Sequence, residues 1–177
     1  MNRLRLLATA ALLVAVLPGV SRGQAASNIT ASADVDNTLL TVSNPNNLQF
    51  GTVVPGTPTT VDPKTSANAA FFVIQGARNA EVSITMTLPT TLSTGTGGWT
   101  MPISFSATAG CYRRQNATQA NCTYFNPNAP LVVRINNQNP PNNHINVWMG
   151  GTVSPSLTQN GGVYRGTITL TVVYTGN

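Results

Sequence analysis

The sequence predicts an all-β protein folded as a β-sandwich, and three observations carry that reading. No long stretch keeps the i, i+3, i+4 apolar period of a helix. Pro, Gly and Asn punctuate the chain about every ten residues. Between them, apolar and polar residues alternate with the period of two that puts one face of a strand inward. The alternation is clearest at Val82, Ile84, Met86 and Leu88, and again at Tyr164, Ile168, Leu170, Val172 and Tyr174. Short strands separated by turn signals at this spacing indicate packed antiparallel sheets with Greek-key connections.

The chain opens on an export signal, residues 1–25. Arg3 and Arg5 give a positive start, residues 6–17 an apolar core, and Gly23-Gln24-Ala25 a small-x-small cleavage site. The apolar core falls short of the roughly 20 residues a membrane span needs, and no later stretch qualifies. The expected destination is therefore secretion through the periplasm. Arg3, Arg5 and Arg22 leave with the signal, so six basic residues face four acidic ones and the net charge drops from +5 to +2. Arg113-Arg114 is then the only adjacent basic pair, which does not make the clustered basic stripe that nucleic acid requires. The mature part, about 150 residues, fits one domain that buries roughly 70% of its unfolded surface.

Within residues 26–38, Ile29, Ala31, Ala33 and Val35 alternate with Asn28, Thr30, Ser32 and Asp34. This reads as an extended segment with one small apolar face, suited to being added to an exposed sheet edge. A disordered terminus is the plainer reading. A hairpin through Asp36-Asn37-Thr38, pairing the segment with the strand that follows, is a third. The domain proper, residues 39–177, begins with strands at 39–42 and 48–54, separated by the Asn/Pro turn cluster 43–47 and closed by Pro55-Gly56. A short edge strand is expected at 59–62. In 70–75, Phe71 and Val73 alternate with Phe72 and Ile74, which implies burial on both sides or an interface. Residues 81–88 form an interior strand ended by Pro89, and 93–98 a loop.

Beyond that loop, Trp99, Met101, Ile103, Phe105 and Ala107 share one parity, with Pro102 indicating an edge or bulged position. Cys111 and Cys122, the only cysteines, follow an export signal and so read as a disulfide. Closing a loop of about ten residues contributes on the order of 2–3 kcal/mol on chain entropy alone. Strands at 131–135 and 145–149 flank an Asn/Pro turn at 136–143. His144 and Trp148 fall on the outward parity of the second, where an exposed Trp could stack on a sugar ring, meet a partner, or lie against a neighbouring loop. The last strand, 162–174, is followed only by Thr175-Gly176-Asn177. The sequence therefore predicts an unpaired edge there that something must cover.

Catalytic patterns are absent. The mature acids are Asp34, Asp36, Asp62 and Glu81, with one histidine, and no nucleophile elbow, paired-histidine or phosphate-loop motif occurs. Two cysteines and His144 fall short of a structural zinc site, so no metal or cofactor is expected. An enzyme is not predicted.

Four features together resemble the bacterial chaperone-usher type pilin subunits, and within them the spore coat U-like and related secreted proteins of unknown function. They are the alternating segment from Ile29 to Val35; Leu48-Gln49-Phe50-Gly51 with Val53, Pro55 and Gly56 after it; the Met149-Gly150-Gly151-Thr152 step; and the closing Gly162-x-Tyr164-x-Gly166 strand. Gly162 stands twelve positions before Tyr174, the spacing of the pilin pattern. The resemblance implies an immunoglobulin-like sandwich that lacks its own last strand. A periplasmic chaperone, delivering the subunit to an outer-membrane usher, and then a neighbouring subunit would fill the groove. On that pattern Ile29, Ala31, Ala33 and Val35 are donor pegs, and Gly162, Tyr164, Ile168, Leu170, Val172 and Tyr174 line the acceptor groove. The implied function is a structural subunit of a surface pilus or coat, assembled from copies of itself or related pilins. The alternative is a self-contained secreted sandwich that binds a glycan or protein as a monomer.

Overall fold

The computed structural model describes residues 39–95, 98–114 and 116–176, all within one compact unit, Val35–Asn177. The fold is an all-β sandwich of antiparallel sheets. One five-stranded sheet runs in the order β1 (Thr41–Asn46), β3 (Ala70–Gln75), β10 (His144–Met149), β7 (Gly110–Arg113) and β8 (Thr123–Phe125). Against it packs a three-stranded sheet of β13 (Thr169–Tyr174), β4 (Glu81–Thr87) and β9 (Leu131–Arg134). Their facing rows make the main core: Phe72 and Ile74 from β3, Ile145, Val147 and Met149 from β10, Val82 and Ile84 from β4, and Val133 from β9. A third sheet continues the sandwich in the order β12 (Tyr164–Arg165), β5 (Thr91–Thr94), β6 (Thr100–Ser104), β11 (Gly151–Val153) and β2 (Thr59–Val61), around a smaller core of Met101, Ile103 and Val153.

The chain passes between sheets where small or imino residues allow it. β10 becomes β11 across buried Gly150, where a Cβ would overlap the Val61 carbonyl oxygen. β3 turns into β4 across Gly76, where a Cβ would lie 2.6 Å from the Tyr174 hydroxyl and 2.7 Å from Ile135 Cδ1. That corner is pinned by Asn143, which is fully buried and satisfied. Its Nδ2 donates to the Gly76 carbonyl at 2.6 Å, and its Oδ1 accepts from Gln75 Nε2 at 3.0 Å.

The other face of the first sheet is also covered. Phe71 of β3 stacks on Trp148 of β10, with ring centroids 5.0 Å apart and planes 12° from parallel. Trp148 packs in one buried cluster with Val61, Ala69 and the Cys111–Cys122 disulfide. The loop that the disulfide closes carries a short 3-10 turn, Gln119–Asn121, and Gln119 Nε2 donates to the carbonyls of Pro63 (2.9 Å) and Ser66 (2.8 Å). Tyr124 of β8 fastens the same region, its hydroxyl donating to Asp62 and its ring lying under Lys64 Nζ at 5.2 Å. Burial on both sides of residues 70–75 is therefore met, and of the readings offered for Trp148 the exposed one is corrected and the ring lying against a neighbouring loop is the one observed: only 5% of it is accessible.

Three local readings differ from the structure. The expected turn at 43–47 lies mostly inside β1, whose register to β3 slips by one residue between Ser43↔Val73 and Asn46↔Phe71. Pro45 sits in that bulge on an edge strand, where its missing N–H costs no ladder bond. Residues 48–54 form no strand, although Gln49 N donates to the Asn68 carbonyl at 2.9 Å. Pro102 lies in β6 between β5 and β11, not on an edge. The β11 ladder stops at Val153↔Ile103, so Pro102 faces Ser154 just past the strand end and offers it only a carbonyl (3.0 Å).

Two outcomes follow from this packing. Trp148→Ala should lower the unfolding free energy by about 3–5 kcal/mol, and Cys111→Ala with Cys122→Ala by about 2–3 kcal/mol, in urea titrations. The combined variant should show a coupling of about 0.5–3 kcal/mol, since ring and disulfide support each other; strict additivity would separate them. The Tyr124 phenol is held above the ordinary tyrosine value, first by partial burial and then by the charge and hydrogen bond of Asp62. The fold thus favours the neutral phenol, so this contribution is present below the unfolded tyrosine pKa and lost as pH rises through the folded one. Ultraviolet titration should show Asp62→Asn shifting this ionisation down; an unchanged titration would remove the assigned cause.

Candidate functional site

β12 and β13 are the two halves of one long run beside β4 and β5. Thr169↔Thr87 and Tyr164↔Thr94 are both antiparallel pairs, but the register slips by two residues between them. The interruption coincides with Pro89, which has no N–H, and with Gly166, where a Cβ would lie 2.7 Å from Leu92 Cδ2. The single strand expected over 162–174 is therefore split across two sheets. Its inward parity survives the split: Tyr164 packs on the smaller core, and Ile168, Leu170 and Val172 on the main one.

Among the described residues this run pairs on one side only. β12 and β13 each end their sheet, and so does β1 across the sandwich. Among the described residues, no strand hydrogen-bonds to the outer edge of either. Ile168, Leu170 and Val172 are only half-buried, whereas alternate residues of β3 are fully buried.

Between the two edges runs a groove of about 1400 Å³. One wall is the stretch 47–53 with Leu48, Phe50 and Val53; the other is 161–168 with Tyr164 and Ile168. Its floor reaches the buried side chains of Phe72, Met101, Ile103 and Val153. Arg165 is the only charged residue in the lining. Asn44, Asn47, Gln49, Gln159 and Asn160 share the lining with these apolar side chains, so the trough offers neutral hydrogen-bonding groups above an apolar floor to whatever enters it.

Of the acceptor residues expected from the sequence, Gly162, Tyr164 and Ile168 line the groove. Leu170 and Val172 continue the same inward row against the main core. Tyr174 lies away from the groove lining, at the Gly76 corner: its hydroxyl accepts from Ala77 N at 2.8 Å, beside Gly76 and Leu40. Ile29, Ala31, Ala33 and Val35 lie outside the described residues. His144 is half-buried, its Nδ1 3.0 Å from the Pro141 carbonyl oxygen. With Trp148 buried in the Phe71 stack, the two offer no exposed aromatic face. Sequence reasoning missed the wall at Leu48, Phe50 and Val53, whose signal was an apolar alternation with no partner strand to explain it.

Among the described residues, no group of three or more His, Cys, Asp or Glu side chains could hold a metal ion. No described helix is long and apolar enough to cross a membrane. None of the curated proteins matches this chain. A family profile described as a domain of unknown function matches residues 40–174, which take in both walls of the groove and every strand, and the chain accordingly belongs to the DUF4402 family.

Proposed function

We propose that this protein is a structural subunit that polymerises by donor-strand exchange, the segment 26–38 of one copy entering the groove of the next. The observation that carries the reading is the half-covered inward row Ile168, Leu170 and Val172 on a strand that, among the described residues, is hydrogen-bonded along one side only. An inserted strand would complete the ladder along β12–β13 and cover that row in one step. The dimensions agree. Residues 29–35, extended at roughly 3.3 Å each, span about 23 Å, and the six residues of β13 about 20 Å. Small pegs such as Ala31 and Ala33 suit a trough whose walls already carry Leu48, Phe50 and Ile168.

The same groove needs a cover before assembly, which is the role the resemblance gives to a periplasmic chaperone and usher. The assembled product would be a pilus or coat at the cell surface. Refolded mature protein should give a detergent-resistant ladder on an unboiled denaturing gel, and a variant lacking residues 26–36 should not. Compact monomers from both, on the gel and on a sizing column, would overturn the proposal.

A further inference from the structure

A second concavity lies beside the groove, and it has different chemistry. It holds about 480 Å³ and is bounded by Trp99, Thr100, Ser154, Ser156, Thr158 and Asn160 around the side chain of Gln159. Trp99 is 43% exposed, in contrast to the buried Trp148. No charged residue lines the concavity.

The loop that forms its rim is held in place before any ligand arrives. Gln159 Nε2 donates to the Tyr164 hydroxyl at 2.6 Å and to the Thr100 carbonyl at 3.1 Å, while its Oε1 accepts from Ser156 N at 3.3 Å. Tyr164 in turn donates to the Asn160 carbonyl at 2.7 Å. The side chains of Ser154, Ser156, Thr158 and Asn160 have no hydrogen-bond partner among the described residues and are exposed. Hydroxyl and amide groups are thus presented on a fixed frame beside an open indole ring.

We infer that this concavity is a binding site for a neutral saccharide. A pyranose has one face of C–H groups and a rim of hydroxyls that both donate and accept. The first matches the partly exposed Trp99 indole, and the second matches the Ser, Thr and Asn side chains. An ionised ligand would find no counter-charge here, so the ligand class is uncharged. A frame already fixed by the Gln159 and Tyr164 bonds spares the ordering cost that weakens loop-built sites. The site shares Gln159 and Asn160 with the groove lining but does not depend on assembly, since its ligand-facing groups all belong to one copy.

The test titrates the mature protein with cellobiose, maltose, lactose, chitobiose and mannobiose, using saturation-transfer NMR and calorimetry. At least one disaccharide should bind saturably in the millimolar range. Trp99→Ala and, separately, Asn160→Ala should each weaken that binding about tenfold or more, with thermal unfolding unchanged as the check on folding. The assembly variant lacking residues 26–36 should bind the same sugar with the same affinity. No saturable binding for any of the five sugars, or binding that survives both Trp99→Ala and Asn160→Ala, overturns the assignment.

Discussion

Six residue pairs join β3 to β10, and both faces of that pair carry apolar side chains. Phe72, Ile74, Ile145 and Val147 point one way; Phe71 and Trp148 point the other. A strand pair of this kind cannot leave either face in water, so the fold must supply two covers. The three-stranded sheet of β4, β9 and β13 is the first. The second is assembled from loops, and loops need fastening: the disulfide, the Gln119 amide and the Tyr124 hydroxyl all hold chain over Trp148. The cysteine bridge therefore acts less by closing a short loop than by keeping one face of the central strands dry.

The two covers are unequal in extent. The Trp148 side is sealed, whereas the main core runs out to the open side of the sandwich, where β1 and β13 are both terminal strands. Leu170 and Val172 pack on the core from within and stay half-buried. Tyr174 and Leu40 draw the two edges together at the Gly76 corner, so the gap is closed at one end and widens towards Leu48 and Ile168. Among the described residues, the groove thus lies on the side of the sandwich where β12 and β1 are terminal strands of their sheets.

Much of this was legible in the sequence, because period-two alternation reports burial directly. The rows at Val82 and Ile84, at Ile145 and Val147, and at Ile168, Leu170 and Val172 all face the core as their parity requires. Parity alone does not say what lies over the second face. The sequence leaves Trp148 between an exposed ring and one lying against a neighbouring loop, because its neighbours in sequence give no sign of whether the cysteine loop and Phe71 would cover it. Proline misled in both directions: Pro45 looks like a turn but sits in an edge bulge, and Pro102 looks like an edge but lies where the neighbouring ladder has just ended. In each case the outcome depended on the partner strand's register, which is a tertiary quantity. Of the row expected to line a groove along 162–174, Gly162, Tyr164 and Ile168 border one, while its other wall was not expected, since 48–54 alternates like a strand but forms none.

Strand polarity bears on what fills that gap. β1 starts at the Tyr174 end of the groove and leads to Leu48 opposite Ile168, so β1 and β13 run in opposite directions across it. A strand placed between them is antiparallel to one and parallel to the other. A segment folding back on its own chain through Asp36-Asn37-Thr38 must be antiparallel to β1, and hence parallel to β13. Its antiparallel partner would then be a bulged strand interrupted by Pro45, while β13, whose ladder from Thr169 to Tyr174 is unbroken, would receive the less stable parallel pairing. A strand from another copy is not tied to the start of β1 and can enter antiparallel to β13. An antiparallel ladder along β13 is the stronger of the two pairings, and the proposed exchange between copies would supply it where a hairpin through Asp36-Asn37-Thr38 would not.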